Sequence, residues 1–246
     1  MIDLTRLTPQ TLSNEPYRWA FIDRLFSPVD CAALVETFPR DHFKTVEGYD
    51  GEKGYQYEAR SLIAMGANAP THQQFLSPAW QHLAADLMSP DYREAMSRLT
   101  GVDLAAMPIE ANVFHYGRSA WLGPHVDLAD KVITHIFYFN EVWDESDGGC
   151  LTILGGGAMN QTVKVIPPLA GNSVVVVRSE NSWHAVSQVR ENCRSSRRSL
   201  TVTFYRPGSP STLWPADDST SLHNYGGERS ALGRFVQQRW RRLKSG

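Results

Sequence analysis

Apolar and polar positions divide this chain near residue 108. Before that point apolar residues recur at helical spacing behind Ser-Pro pairs; after it they fall into short runs broken by glycine turns. Ser27-Pro28, Ser77-Pro78 and Ser89-Pro90 each carry the same start signal. The serine caps the first turn, and the proline sits where its missing N–H is not needed. They predict a helix from residue 28 and helices over 78–88 and 90–99, the last closed by Gly101. Val29, Ala32, Ala33, Val35 and Phe38 form the apolar face of the first, and Pro39 ends it. Residues 17–26 are aromatic and β-prone enough for a short strand. Residues 44–60 are rich in glycine, tyrosine and charge without a period, which reads as either a loop over a site or a solvated connection.

Strands are expected at 109–116, 132–140, 150–154, 173–177 and 199–205, with turns at Asp147-Gly148-Gly149, Gly155-Gly156-Gly157 and Gly171-Asn172. Short strands without intervening helices predict a mainly β fold with flanking helices (α+β), its core a double-stranded β-helix or jelly roll. One domain of 246 residues is expected: a strand and supporting helices over 1–107, the jelly-roll core over 108–206, and a loop and helix over 207–246. Within the last part, Leu232, Phe235, Val236, Trp240 and Leu243 make residues 230–243 a basic helix with an apolar stripe for the sheet. Trp214, His223 and Asn224 precede it, read as loop residues or as a cover for a site mouth.

Composition narrows the partners. Apolar content of 42%, charged content of 20% and a net charge of −2 are ordinary for a soluble globular protein and argue against nucleic acid or an anionic membrane. No apolar run approaches the ~20 residues of a membrane span. The N-terminus lacks a basic segment followed by an apolar one, so a cytoplasmic location is expected. Cys31, Cys150 and Cys193 show no metal-ligand spacing and read as reduced thiols. Oligomeric state is not legible.

The candidate chemistry centres on Pro124-His125-Val126-Asp127 and on His184 within Ser182-Trp183-His184-Ala185-Val186. On a strand, His125 and Asp127 project from one face. Two histidines and a carboxylate on one side of a metal form the facial triad of non-haem Fe(II) oxygenases. The triple glycine lacks the Lys-Ser/Thr of a phosphate loop, and no G-x-S-x-G elbow accompanies the histidines.

The ordered set His125-x-Asp127, Ile133-Thr134-His135-Ile136-Phe137-Tyr138-Phe139-Asn140, Trp143-Asp144, Gly148-Gly149-Cys150-Leu151, His184-Ala185-Val186 and Arg197-Arg198-Ser199-Leu200-Thr201-Val202 resembles the prolyl 4-hydroxylase-like branch of the 2-oxoglutarate/Fe(II)-dependent dioxygenases, over residues 110–206. The resemblance implies that His125, Asp127 and His184 hold Fe(II). It also implies 2-oxoglutarate and O₂ as cosubstrates, succinate and CO₂ as products, and hydroxylation of an unactivated C–H bond. The basic residue for the distal carboxylate of 2-oxoglutarate maps onto Arg197, and one slip in register would exchange it for Arg198. Tyr138, Tyr116 and Thr201 join Arg197 as cosubstrate-facing residues, the tyrosines standing equally as ordinary core aromatics. Related halogenases lack the carboxylate, so Asp127 favours hydroxylation. Glu110 and Asn112 share a strand face and either meet a substrate ammonium or stay solvated, with Trp121 in the loop leading into the triad. By analogy the substrate is a small molecule such as a free amino acid, the alternative being peptidyl-proline or another protein side chain. A non-catalytic, cupin-like metal-binding protein would use the same three ligands without Arg197.

Overall fold

The computed structural model describes residues 1–49 and 54–225. In chain order the strands are β1 (Leu12–Ser13), β2 (Trp19–Ile22), β3 (Lys44–Tyr49), β4 (Gly54–Ile63), β5 (Ile109–Tyr116), β6 (Trp121–His125), β7 (Lys131–Tyr138), β8 (Leu151–Leu154), β9 (Thr162–Ile166), β10 (Ser173–Val177), β11 (His184–Val186) and β12 (Arg197–Tyr205). The helices are α1 (Pro28–Glu36), α2 (Pro78–Met88) and α3 (Pro90–Thr100). Ser27, Ser77 and Ser89 cap them by accepting from the amides of Asp30, Trp80 and Tyr92, each cap worth about 1 kcal/mol. Gly101 ends α3 at φ +67°, a conformation that costs glycine nothing.

The strands pair antiparallel in the order β1-β2-β10-β7-β12-β5-β4-β6-β11-β8-β9, with β3 on β4. The long β4 turns the corner, pairing with β5 through Glu58 to Ile63 and with β6 through Tyr55 and Gln56. The sheet thus curls into a jelly-roll core with two distinct faces. Outside, Val113, Phe137, Leu200, Val202 and Phe204 pack on Leu34, Trp80, Leu83, Tyr92 and Met96 of the helices. Inside, Ile136, Tyr138, Val174 and Val176 meet Leu151, Ile153, Ile166 and Val186 from the other side of the curl. Among the described residues no helix is long and apolar enough to cross a membrane.

Several expectations are corrected. Residues 44–60 contribute to the β3–β4 hairpin rather than a featureless connection. Its alternation is masked because Tyr55 and Tyr57 alternate with Gln56 and Glu58 on a half-covered surface. Helix α1 ends at Glu36; of its expected apolar face Val35 and Phe38 are buried, but Val29 is 79% exposed, and Leu34, outside that face, is buried as well. Strand β9 and the bounds of β6 and β11 were not anticipated: β9 is largely exposed, β6 contains Gly-Pro, and β11 has three residues. Residues 207–225 form the expected loop, while the helix expected at 230–243 lies outside the described residues.

Candidate metal and cosubstrate site

Cross-strand pairing sets His184 of β11 directly opposite His125 of β6, with ring centroids 4.3 Å apart. Asp127 does not continue β6 as the H-x-D spacing suggested; it lies just past the strand end. Its carboxylate is aimed by side chains from the next strand. Lys131 Nζ donates to Oδ1 and Thr134 Oγ1 donates to Oδ2, both at 2.8 Å. Ligand atoms of His125, Asp127 and His184 lie within 4.8 Å of one another, and all three residues are buried.

Each imidazole is oriented by the main chain. His125 Nδ1 donates to the Gly123 carbonyl and His184 Nδ1 to the Ser182 carbonyl, each at 2.9 Å. A carbonyl can only accept, so Nδ1 carries the proton and Nε2 becomes the basic nitrogen of the neutral ring. Second contacts of this kind commonly fix a metal-binding tautomer. Tyr17 braces the preceding turn by donating to the Trp183 carbonyl at 2.8 Å. Gly148, at φ +70°, lets the chain pass so close to β11 that a Cβ there would stand 1.9 Å from the Gln188 carbonyl oxygen.

Burial alone would raise the Asp127 carboxyl. The Lys131 ammonium and the His184 and His125 imidazoles outweigh it and hold the group well below the usual carboxylate range. The site therefore keeps an anionic ligand between two neutral-capable nitrogens. That donor set suits Fe(II), whereas a thiolate set would have suggested zinc.

Strand β12 carries Arg197, Ser199, Thr201 and Thr203 on the inner face, in register with Tyr116, Phe114, Asn112 and Glu110 of β5. Arg197 is 2% exposed and lies over the rings of Tyr116 and Tyr138, 4.8 and 5.4 Å from their centroids. Arg198 points to the helical side, over Phe38 at 5.8 Å. Arg197 Nη1 donates to Ser199 Oγ at 2.7 Å, while its buried Nε and the buried Tyr138 hydroxyl meet no partner within hydrogen-bonding distance among the described residues. Buried donors left unmade are costly, and two neighbouring ones on the inner face suit a carboxylate ligand. Burial pushes the Tyr116 phenol up to about 12, with Arg197 opposing it.

Beside this face is a cavity of about 260 Å³. Its lining includes Glu110, Asn112, Lys131, Thr201 and Tyr205, with Thr212 and Leu213 supplying another wall. Trp121 belongs to β6, opposite Gln56, and is not in this lining. Sequence reasoning assigned no role to Thr134, Lys131, Ser199 or Ser211, and left Trp214, in the loop after β12, as either a plain loop residue or a cover for a site mouth. The first had a signal: a lone hydroxyl in the apolar run of β7, on the face shared with Ile136 and Tyr138.

Residues 111–205 match the sequence model of the 2OG-Fe(II) oxygenase superfamily. This region belongs to that superfamily. The match implies an oxidoreductase that works with Fe(II), 2-oxoglutarate and O₂, and the His125, Asp127 and His184 cluster supplies ligands of the kind it needs. The fold of this oxygenase is similar to that of a prolyl 4-hydroxylase from Pseudomonas putida, at 22% identity over 76% of this chain and 92% of that one, with a TM-score of 0.53. It also resembles a prolyl 4-hydroxylase from Phytophthora capsici (16% identity, 83% of this chain, 64% of that one, TM-score 0.55). A third likeness is to SnoN, the non-haem α-ketoglutarate-dependent epimerase from nogalamycin biosynthesis (13% identity, 90% and 91%, TM-score 0.50). At these identities the likeness is one of fold. Comparison with curated proteins returned no match.

Proposed function

We propose that this oxygenase hydroxylates an unactivated C–H bond of a small molecule, a free amino acid or a derivative of one, as a single cytoplasmic domain. The observation that carries the substrate size is the cavity of about 260 Å³ lined by Lys131, the partner of Asp127, one wall of which is Thr212 and Leu213 of the strap formed by the loop at 207–225. Pockets that take small ligands are typically concave, largely apolar and equipped with a few fixed polar groups. Three cysteines, odd in number and without metal-ligand spacing, are in keeping with a reducing compartment.

In this reading His125, Asp127 and His184 hold Fe(II), which when bound supplies O₂ activation coupled to conversion of 2-oxoglutarate into succinate and CO₂. Arg197 binds the distal carboxylate of the cosubstrate, its guanidinium steadied by Ser199 and packed on Tyr116. Tyr138 completes the carboxylate site with its hydroxyl, and Thr201 stands on the same face. Lys131 and Thr134 hold the Asp127 carboxylate in place, so the ligand does not have to reorganise when metal arrives. Ile136, Val174 and Val176 keep water away from the inner face.

The deciding experiment is mass spectrometry of aerobic reactions containing Fe(II), 2-oxoglutarate and a panel of free amino acids alongside proline-containing peptides. One oxygen gained by a free amino acid, matched by succinate, is the expected result. Oxygen gained only by a peptide would replace the small-molecule reading with a peptidyl one.

A further inference from the structure

Glu110 is a buried carboxylate that makes no ion pair among the described residues, although the Lys131 ammonium attracts it from farther away. It is 2% exposed, and the groups that bond it are hydroxyls: Ser211 Oγ donates to Oε1, and Tyr205 Oη to Oε2 at 3.4 Å. The cavity's other charged side chain, Lys131, is committed to Asp127 at 2.8 Å and forms no ion pair with Glu110. A buried carboxylate whose direct partners are neutral donors is expensive, and an incoming cation offsets part of that cost.

Two positions along β5, Asn112 is held in a complementary way. Trp214 Nε1 donates to its Oδ1 at 2.7 Å. An indole nitrogen only donates, so this bond fixes which end of the amide is which and presents Nδ2 as a donor. No acceptor among the described residues takes up Nδ2. The two side chains share a face of β5, and both line the same cavity.

The strap that orients them is anchored firmly. Lys44, 6% exposed, bonds both the Leu213 carbonyl and the Asp218 carboxylate, and its ammonium lies 4.1 Å from the centroid of the Trp214 ring. Farther on, His223 Nε2 meets Glu58 Oε2 of β4 at 2.8 Å. Ser211 and Trp214 are thus tied to the hairpin side of the cavity while their polar atoms reach down to β5.

We propose that Glu110 and Asn112 form a receptor for the head group of a free amino acid, with Ser211 and Trp214 as its positioning residues. Glu110 accepts from the substrate ammonium, and Asn112 Nδ2 donates to the substrate carboxylate. The inference rests on the small-molecule reading above and adds the specificity: an unblocked amine is required. A peptide-bonded residue presents amides at both places and satisfies neither group.

The test is calorimetric titration of the anaerobic holoenzyme, loaded with Fe(II) and 2-oxoglutarate, with the L-amino acids and their N-acetyl and methyl ester derivatives. At least one free amino acid is expected to bind, with N-acetylation or Glu110→Gln weakening it about 10- to 100-fold while 2-oxoglutarate affinity stays unchanged. Ser211→Ala is expected to raise KM about 3- to 10-fold with kcat retained, and Ser211→Thr to restore KM, a pattern that a general loss of stability would not give. Equal binding of free and N-acetylated forms, or an unaffected Glu110→Gln variant, overturns the receptor and leaves the small-molecule reading standing. Binding confined to proline-containing peptides overturns both. An absence of binding by every amino acid overturns the receptor as well.

Discussion

Thr134 Oγ1 donates to Asp127 Oδ2 across 2.8 Å, so a hydroxyl on β7 aims a carboxylate that no strand of its own holds. Because Asp127 lies past the end of β6, its direction depends on Thr134 and Lys131 rather than on local backbone. Replacing Thr134 by valine removes the bond with little change in shape. Metal affinity is expected to fall about 10- to 100-fold, as for other residues that orient a ligand. Fe(II) titration under anaerobic conditions measures it, and unchanged affinity would refute this role.

The histidine pair makes the sharpest demand. His125→Ala or His184→Ala should each eliminate iron-dependent succinate formation and lower bound iron after dialysis. Full activity in either variant would remove that residue from the ligand set. Asp127→Gly, assayed with added chloride, separates the carboxylate's part from theirs; unchanged hydroxylation and iron content would count against it.

Arg197 and Arg198 are adjacent but face opposite sides of β12, one over Tyr116 and the other over Phe38. Arg197→Ala is expected to raise the KM for 2-oxoglutarate about 10- to 100-fold, the range of a charged hydrogen bond. Arg197→Lys should recover only part of that loss, since a point charge replaces a bidentate fork. Arg198→Ala should leave this KM where it was. Equal effects from both substitutions would contradict the register.

Two buried histidines set a pH dependence of stability. Burial lowers the pKa of His135 and of His115 to about 3. The unfolded chain binds their protons near the usual histidine value of about 6.5, so between about pH 6.5 and 3 it holds more protons than the folded one. Stability is therefore full above that window and falls as pH is lowered through it, by about 1.4 kcal/mol per pH unit for each proton. Asp127, held low in the folded state, adds to the loss only below about pH 4. Urea unfolding of the metal-free protein between pH 6 and 4.5 should show a shallower slope in His135→Gln, whatever its absolute stability. A slope equal to that of the parent would refute the contribution of His135.

Much of the scaffold is local and was therefore legible. Ser-Pro pairs start all three α-helices among the described residues because capping and the proline restriction act within one turn. The runs that became β5, β7, β10 and β12 show because a half-buried or buried strand needs β-branched and aromatic residues in sequence. The β3–β4 hairpin escaped because its strands are half covered, which leaves little contrast between the faces. The bounds of the short strands β6 and β11 escaped because pairing, rather than propensity, holds them.

By itself, then, the sequence determined the helix starts, the mainly β core and the residue types of a two-histidine, one-carboxylate site, all of which depend on near neighbours. Tertiary structure alone decided that His125 faces His184, that Thr134 rather than a strand aims Asp127, that Arg197 points inward, and that Ser211 and Trp214 reach Glu110 and Asn112. The physical reason is the same for each. Strand alternation assigns side chains to two faces, but only the register between distant strands says which face is the inside, and only the fold says which distant side chain arrives there.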